Sequence, residues 1–329
     1  MASRKRSSES LSTVILAFGA NLVIAIAKTI AATITGSASM VAEAAHSWAD
    51  SGNEVFLLRA ERQAARPSDA SHPSGYGRET YVWSLFAAVG LFTAGAVVSI
   101  LHGVGQLGAR EPETDYLVNY VVLAVAFVFE GISFAQSFRQ ARSMAAARDT
   151  GTLEHVFRTS NPTLRAVFAE DAAALIGLVI AFLGVLLHEL TGNAIFDALG
   201  SILVGVLLAV VAIVLIDRNR RFLLGEQTPD RVTQAALAAI LRHPDVEKVT
   251  YLHLEYVGPG RVFLVAAVDL VGDDRESDVA DDLYAIEQQL ESDEHVAEAV
   301  LTLSRRGAPA LLLADPPPRD SDSGHIPTA

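Results

Sequence analysis

The chain has 329 residues, of which 51% are hydrophobic and 19% are charged, and its net charge of −13 lies mostly toward the C-terminus. This composition excludes an ordinary soluble protein, because the apolar residues gather in runs longer than about 18, which is the signature of membrane spans. The absence of cysteine excludes disulfides and thiolate metal sites, so His nitrogen and carboxylate oxygen must hold any metal.

Six membrane-spanning helices are predicted along the first two thirds of the chain. They lie at about residues 11–34, 38–58, 81–107, 116–138, 163–187 and 194–216. The first is too long for a cleaved signal peptide, so we expect it to be retained. The second is too polar to be chosen by hydropathy alone, and we include it because its polar residues share one face that can point into a bundle.

Basic residues alternate between the predicted loops. They precede the first span and follow the second, fourth and sixth, whereas the other loops contain only Arg110. By the positive-inside rule this alternation places both termini in the cytoplasm. We therefore predict a cytoplasmic segment at 1–10, a six-helix transmembrane domain at 11–220, and a multi-pass protein of the cell membrane.

The second span carries a stripe of polar residues. Glu43, His46, Asp50 and Asn53 follow one another at spacings of three, four and three, so they share one helix face. Ionisable residues within a bilayer usually line a substrate path or bind an ion. A His and an Asp four residues apart also have the spacing of metal ligands. The alternatives are a hydrogen-bonded His–Asp pair, helix-packing hydrogen bonds for Glu43, and a supporting contact behind the ligands for Asn53.

Other ionisable residues are predicted inside the membrane. An unpaired carboxylate at Asp171 would cost at least about 2.5 kcal/mol, so a metal, a proton or a cationic partner must compensate it. Glu170 lies about 100° away around the same helix, so both cannot point squarely at one ion. Glu170 can instead face the cytoplasmic vestibule or pair with Arg165. For Glu130 and Lys28 we favour interhelical pairing or snorkelling over a proton path.

Two further polar positions have simple structural interpretations. Asp197 opens the sixth span, where it can cap that helix and favour its positive dipole end. His72, with glycines at 75 and 77, is interpreted as part of a turn-forming loop at the cytoplasmic mouth. Asp69 lies in the same loop, and a metal site formed with His72 is left open.

The last hundred or so residues are predicted to form a small domain and a tail. Residues 226–305 show an α+β pattern: a helix at about 230–242, strands at 246–256 and 262–270 around a Gly-Pro-Gly turn, a helix at 277–290 and a strand at 296–303. Residues 306–329 are rich in Pro, Asp and Ser, and we expect them to be disordered.

Residues 10–305 resemble the cation diffusion facilitator family of membrane zinc and divalent-metal transporters. The resemblance is carried by Thr-Gly-Ser at 35–37, Ala-Glu at 42–43, His-Ser at 46–47, Asp50, Asn53, His-Pro-Ser-Gly-Tyr-Gly at 72–77 and Phe-Asp-Ala-Leu-Gly-Ser at 196–201. In the motif at 72–77, Ser74 replaces the usual Phe. The small C-terminal domain is similar to the family's ferredoxin-like dimerisation domain.

The resemblance implies a homodimer that exports a divalent cation, usually in exchange for protons. Family members hold the ion with a His/Asp-x-x-x-Asp pair from span two and a second pair from span five. His46 and Asp50 match the first pair. Asp171 matches one position of the second pair, but Val167 stands at the other, which leaves Glu170 as the alternative ligand.

The predicted function is divalent metal/proton antiport by alternating access, with zinc favoured and manganese, iron and cobalt compatible with the ligands. The expected partners are the lipid membrane, the metal ion, protons and a second copy, with no resident cofactor and no nucleic acid. A membrane metalloenzyme is disfavoured because no His-Glu-x-x-His or nucleophile-elbow motif is present. A non-transporting membrane metal sensor or scaffold is the alternative.

Overall fold

The computed structural model describes residues 2–108, 115–146, 150–272 and 274–313, with side chains from residue 18 onward. The chain forms two compact units, Met1–Leu224 and Gly225–Ala329. Residues 314–329, which make up most of the tail predicted to be disordered, lie outside the described residues, as does Arg110.

The first unit is built from α-helices. They are α1 (Ala2–Thr35), α2 (Ala38–Ala64), α3 (Glu79–Ala87), α4 (Thr93–Gln106), α5 (Tyr116–Ala146), α6 (Thr152–Arg158), α7 (Pro162–Thr191) and α8 (Ile195–Leu223). A π-helical turn at Ala88–Phe92 joins α3 to α4, so Glu79–Gln106 is one continuous helical span. The helical membrane architecture expected from the hydrophobic runs is thus confirmed.

The number of apolar spans differs from the prediction of six. Among the described residues, five helical segments are long and apolar enough to cross a membrane: Phe18–Thr35, Glu79–Gln106, Tyr116–Ala146, Pro162–Thr191 and Ile195–Leu223. The helix that falls short is α2, because its polar stripe lowers its hydropathy. α2 packs against α1, α3, α4, α7 and α8, so its polar face meets protein. This placement satisfies the requirement that intramembrane polar groups face a bundle interior.

Local sequence signals fix the start of α2 and both ends of α7. Ser37 is the N-cap of α2, and its side chain accepts a hydrogen bond from the Met40 N–H. Asn161 caps α7 in the same way through the Leu164 N–H, with proline at the first helical position. α7 ends at Gly192, whose φ of +64° is the left-handed conformation that favours glycine.

The bundle core is made of small and aliphatic side chains. One cluster, around Phe92 and Leu208, joins α4, α7 and α8, and a second, around Met40 and Leu178, joins α1, α2, α5 and α7. Alanine supplies many of the buried positions in both clusters. Helices in a membrane associate through close packing of this kind, because apolar burial alone gives no advantage over lipid.

The second unit is a small mixed α+β domain. It contains α9 (Asp230–Leu241), β1 (Val246–Gly258), β2 (Arg261–Leu270), α10 (Glu276–Glu291) and β3 (Val296–Leu303). The sheet order is β1-β2-β3, with β1 antiparallel and β3 parallel to β2. The hairpin turns through Gly260, at a φ of +69°. The predicted α+β fold of this region, with its helices and strands in the expected order, is confirmed.

Candidate metal centre

The polar stripe of α2 is buried along its whole length. Glu43, His46, Asp50 and Asn53 all lie in the protein interior, and His46 is only 1% exposed. The His46 Nε2 atom is 3.5 Å from Asp50 Oδ1, one helical turn away. The i, i+4 spacing has therefore placed an imidazole and a carboxylate side by side in the bundle.

α7 lies directly against this stripe. The Asn53 amide donates a short hydrogen bond to Glu170. Two turns further along α7, a β-carbon on Gly177 would lie 2.6 Å from Glu43 Oε1 and 3.5 Å from His46 Nδ1. The missing side chain at Gly177 is what lets the imidazole and the glutamate approach the backbone of α7. The second and fifth predicted spans are therefore in close contact at Glu43, His46 and Gly177.

The two neighbouring acids of α7 point to different helices. Glu170 is bonded to Asn53 of α2, whereas Asp171 accepts a hydrogen bond of 2.9 Å from Ser133 of α5. Their separation of about 100° around the helix explains the divergence. The alternative pairing of Glu170 with Arg165 is replaced by the bond to Asn53. Arg165 donates to the Thr159 carbonyl at 3.0 Å and to Asn219 Oδ1 at 3.1 Å.

Several polar atoms at this contact are buried without a hydrogen-bond partner among the described residues. They are both ring nitrogens of His46, Oδ1 of Asp50, Oδ2 of Asp171 and Oε1 of Glu43. Leaving one such group unsatisfied costs about 1–3 kcal/mol. Nitrogen and carboxylate oxygen atoms of this kind are the donors that zinc binds. The contact therefore holds the chemistry that a divalent cation needs.

The candidate ligands are not gathered into a finished coordination shell. Across the described parts of the chain, no group of three or more His, Asp or Glu side chains is close enough to hold a metal ion. His46 and Asp50 are adjacent, but Asp171 is held toward α5. Binding by all of them requires a side-chain or helix movement.

A buried lysine stands beside the same stripe. Lys28 of α1 is 1% exposed, and its Nζ lies 2.9 Å from Glu43 Oε2 and 2.8 Å from Ser47 Oγ. The predicted interhelical pairing of Lys28 is confirmed, with Glu43 as its partner. Lys28 is also within electrostatic range of Glu130, which is buried on α5. One carboxylate of the stripe is thus already compensated by a cation of the protein.

The loop after α2 brings Asp69 and His72 into one turn. The Asp69 carboxylate accepts hydrogen bonds from Ser71 Oγ at 2.6 Å and Tyr76 Oη at 2.7 Å. These bonds hold the pKa of Asp69 well below its usual range. The His72 ring stacks on Tyr76, with centroids 4.1 Å apart. Both residues are about half exposed, so the loop forms a compact turn outside the buried site.

The prediction that Asp197 caps its own helix is wrong. At the start of α8 the Ile195 N–H donates to Asn193 Oδ1 at 3.0 Å, and Asp197 instead accepts hydrogen bonds from Ser37, Ala38 and Ser39 at the start of α2. These partners lie about 160 residues away along the chain, where local sequence patterns carry no information about them.

Sequence reasoning also missed the residues that line the site without being ionisable. Ser133 was overlooked, although it stands three residues from Glu130, the spacing that identified the α2 stripe. Gly177 was overlooked because a glycine in an apolar helix carries no polar signal. Its role follows only from the closeness of α2 and α7.

Comparisons with known proteins match this architecture. A family model described as a cation efflux transmembrane domain matches residues 14–224. Metal tolerance protein C4 of Arabidopsis thaliana is 36% identical over 233 residues, which cover 71% of this chain and 51% of the relative. The human mitochondrial proton-coupled zinc antiporter SLC30A9 is 34% identical over 238 residues, covering 72% and 42%. The metal cation efflux system protein CzcD of Cupriavidus metallidurans is 24% identical over 244 residues, covering 74% and 71%. The chain spans about half the length of the first two relatives.

Proposed function

The chain belongs to the cation efflux family, the cation diffusion facilitators that its motifs resemble, and on that premise we propose that it transports a divalent metal cation, zinc above all, across a membrane. The observation that carries the proposal is the buried His46–Asp50 pair with its unpartnered donor atoms at the contact between α2 and α7. Burying such groups inside a membrane protein is costly, and a bound cation would compensate that cost.

We assign the transported ion to His46 and Asp50 of α2 and to Asp171 and Glu170 of α7. One imidazole nitrogen with carboxylate oxygens suits zinc, and it also accommodates manganese, iron and cobalt. Relatives named as zinc antiporters favour zinc among these. Asn53 supports the set by holding Glu170 toward α2, and Glu43 is engaged by Lys28.

Proton exchange follows from the same donor atoms. The imidazole must be neutral and the carboxylates ionised to bind a cation, so metal and protons compete for the same positions. Histidine exchanges protons near neutral pH, which lets a proton replace the ion. We propose alternating access: the ligands close around the ion when loaded from the cytoplasm, and protons from the other side help to release it. The divergent positions of Glu170 and Asp171 are consistent with a shell that assembles during this cycle.

The setting proposed for this activity is a homodimer in the cell membrane with both termini in the cytoplasm. The alternating arginine-rich loops support that orientation. The small α+β domain supports the dimer through its similarity to the family's dimerisation domain. The relatives named above include a zinc antiporter and a metal cation efflux system protein, and we propose no enzymatic activity.

The test is zinc uptake into proteoliposomes that contain a pH-sensitive dye. We expect zinc-driven proton movement with the parent protein and a loss of about a hundredfold or more in rate with His46→Ala or Asp50→Ala. His102→Ala is the matched control, because His102 is an intramembrane histidine on α4 that we do not assign to the site. Parental rates in both site variants would contradict the assignment.

The alternative function, a membrane metal sensor or scaffold, is favoured by the absence of a preassembled metal cluster among the described residues. A counterflow experiment with radioactive zinc separates the two functions. A transporter exchanges internal for external zinc, whereas a sensor binds zinc in detergent and moves none across the vesicle membrane.

A further inference from the structure

Two sequence motifs that lie far apart meet at one end of the bundle. The Asp197 carboxylate, which is fully buried, accepts hydrogen bonds from Ser37 Oγ at 2.9 Å, from the Ala38 N–H at 2.5 Å and from the Ser39 N–H at 3.2 Å. In return, Ser39 Oγ donates to the Asp197 backbone carbonyl at 2.8 Å. The first turn of α8 and the first turn of α2 are thus joined by four hydrogen bonds.

This arrangement gives the N-terminus of α2 a cap from another helix. The first N–H groups of a helix have no intrahelical partner, and a carboxylate both accepts their hydrogen bonds and favours the positive end of the helix dipole. Ser37 caps the Met40 N–H locally, and Asp197 takes the two N–H groups before it. α2 is therefore tied to α8 through its own backbone.

Two glycines allow the helices to approach closely at this point. A β-carbon on Gly184 of α7 would lie 2.9 Å from Ser39 Oγ, and one on Gly200 of α8 would collide with the same oxygen. The β-carbon position of Gly200 is also 3.5 Å from the Gly184 Cα atom. α2, α7 and α8 therefore close on Ser39 without space between them.

We call this group the Asp197 clamp. Its members are Ser37, Ala38, Ser39, Gly184, Asp197 and Gly200. Its position along α2 relates it to the metal centre, since His46 follows Ser39 by two helical turns, or about 10 Å. The clamp lies at the end of α2 opposite the arginine-rich loop that follows Ala64.

We propose that the Asp197 clamp is the outer gate of the transport path, and that Asp197 is a positioning residue that holds α2 closed on α7 and α8. This inference rests on the proposed function, in which the ion leaves at that end. The clamp must separate for α2 to move away from α7 and α8. Its polar contacts suit that role, because water that enters the opened exit can replace each of the broken hydrogen bonds.

The chain contains no cysteine, which allows the gate to be tested by single-cysteine labelling of the full-length protein in proteoliposomes. Ala42→Cys is the reporter, because Ala42 is fully buried, lies one turn from His46 on the same face and is not part of the clamp. Labelling with a membrane-impermeant maleimide from the clamp side should be slow. Thr191→Cys, exposed at the same end of the bundle, is the positive control.

Opening the gate should raise the labelling rate of the reporter from the clamp side only. We expect an increase of roughly tenfold in Asp197→Ala, which loses all three acceptor contacts, and a smaller one in Asp197→Asn, which keeps an acceptor oxygen. Asp197→Asn should lower the maximal rate of zinc transport with KM changed by less than about twofold, because His46 and Asp50 remain in place. A purely structural role for Asp197 would not lower the maximal rate while leaving KM nearly unchanged.

The glycines supply a second, independent route to the same result. Gly200→Ala forces a methyl group onto Ser39 Oγ and should also speed labelling from the clamp side. Adding Ser39→Ala removes that oxygen and should restore slow labelling. Gly131→Ala is the matched control, since a β-carbon there meets nothing within 4 Å.

The outcomes separate the gate from the transport activity. Unchanged reporter labelling in Asp197→Ala and Gly200→Ala, in protein that elutes as a single peak, would overturn the gate. Equal acceleration from both sides would overturn it as well, because that is the signature of general loosening. If the parent moves no zinc while the clamp variants still expose the reporter from one side, the proposed transport fails and the clamp stands as the closure of this end.

Discussion

The start of α2 and the polar stripe that follows it contain buried polar groups in opposite situations. At the Asp197 clamp, the carboxylate and the first backbone N–H groups of α2 satisfy one another. Two turns further along the helix, His46 and Asp50 keep buried atoms without hydrogen-bond partners in the described structure. The paired groups stabilise the packing of α2 against α8, whereas the unpaired atoms of His46 and Asp50 are available to a ligand. The contrast separates the structural residues of α2 from the proposed metal ligands.

Lys28 pairs with Glu43 of the polar stripe, and removing Lys28 should have the largest effect on stability. Lys28→Met leaves the Glu43 carboxylate buried without its cation, and breaking a buried pair in this way costs about 3–5 kcal/mol. Thermal unfolding of the detergent-solubilised protein measures the loss. Adding Glu43→Gln should recover much of it, because the uncompensated charge is then gone. A single variant as stable as the parent would show that Lys28 has no structural role.

The next largest effect concerns the unpaired atoms of His46 and Asp50. His46→Gln should weaken zinc binding by about a hundredfold, or about 2.7 kcal/mol, because it removes an imidazole ligand. Isothermal titration with zinc measures the change directly, and the thermal stabilisation by zinc should fall in parallel. Ser37→Ala, in the Asp197 clamp, should leave zinc affinity unchanged. Equal zinc affinities of the parent and His46→Gln would contradict the distinction between the Asp197 clamp and the polar stripe.

A smaller effect is expected at the glycine that admits the imidazole to α7. Gly177→Ala places a methyl group against Glu43 and His46, and overpacking of this kind costs about 1–3 kcal/mol. Gly131→Ala, where space is open, should be neutral and serves as the control. Thermal unfolding of the two variants side by side measures the difference. Two equally stable variants would indicate that α2 and α7 are not tightly packed.

The smallest effect lies outside the membrane, in the loop that holds Asp69. Its folded pKa is depressed by the hydrogen bonds from Ser71 and Tyr76, so these bonds stabilise the loop above the unfolded pKa of about 3.9. That stability is lost only as the pH falls through the folded pKa, and the loop should therefore not change between pH 7 and pH 5. Tyr76→Phe should raise the pKa of Asp69. Carboxyl NMR titration checks the shift, and an unchanged pKa in Tyr76→Phe would contradict it.

Local patterns were enough to predict most of the helices and strands and the polar face of α2. Hydrophobic runs located the membrane helices, and the spacing of three and four residues on α2 identified the face that His46 and Asp50 share. Hydropathy does not select α2 as a membrane span, because its polar residues lower the mean hydropathy of the helix. The feature that distinguishes α2 is a polar face that neighbouring helices can bury.

The sequence by itself determined which residues lie on one helix face and which parts of the chain are apolar, since helix geometry and hydropathy act over a few neighbouring residues. Only the tertiary structure decided that Lys28 neutralises Glu43, that Glu170 and Asp171 turn toward different helices, and that Asp197 caps a helix about 160 residues away. Those contacts depend on how closely the helices approach one another. That distance is set by glycines and alanines across the whole bundle, which leave no local trace along the chain.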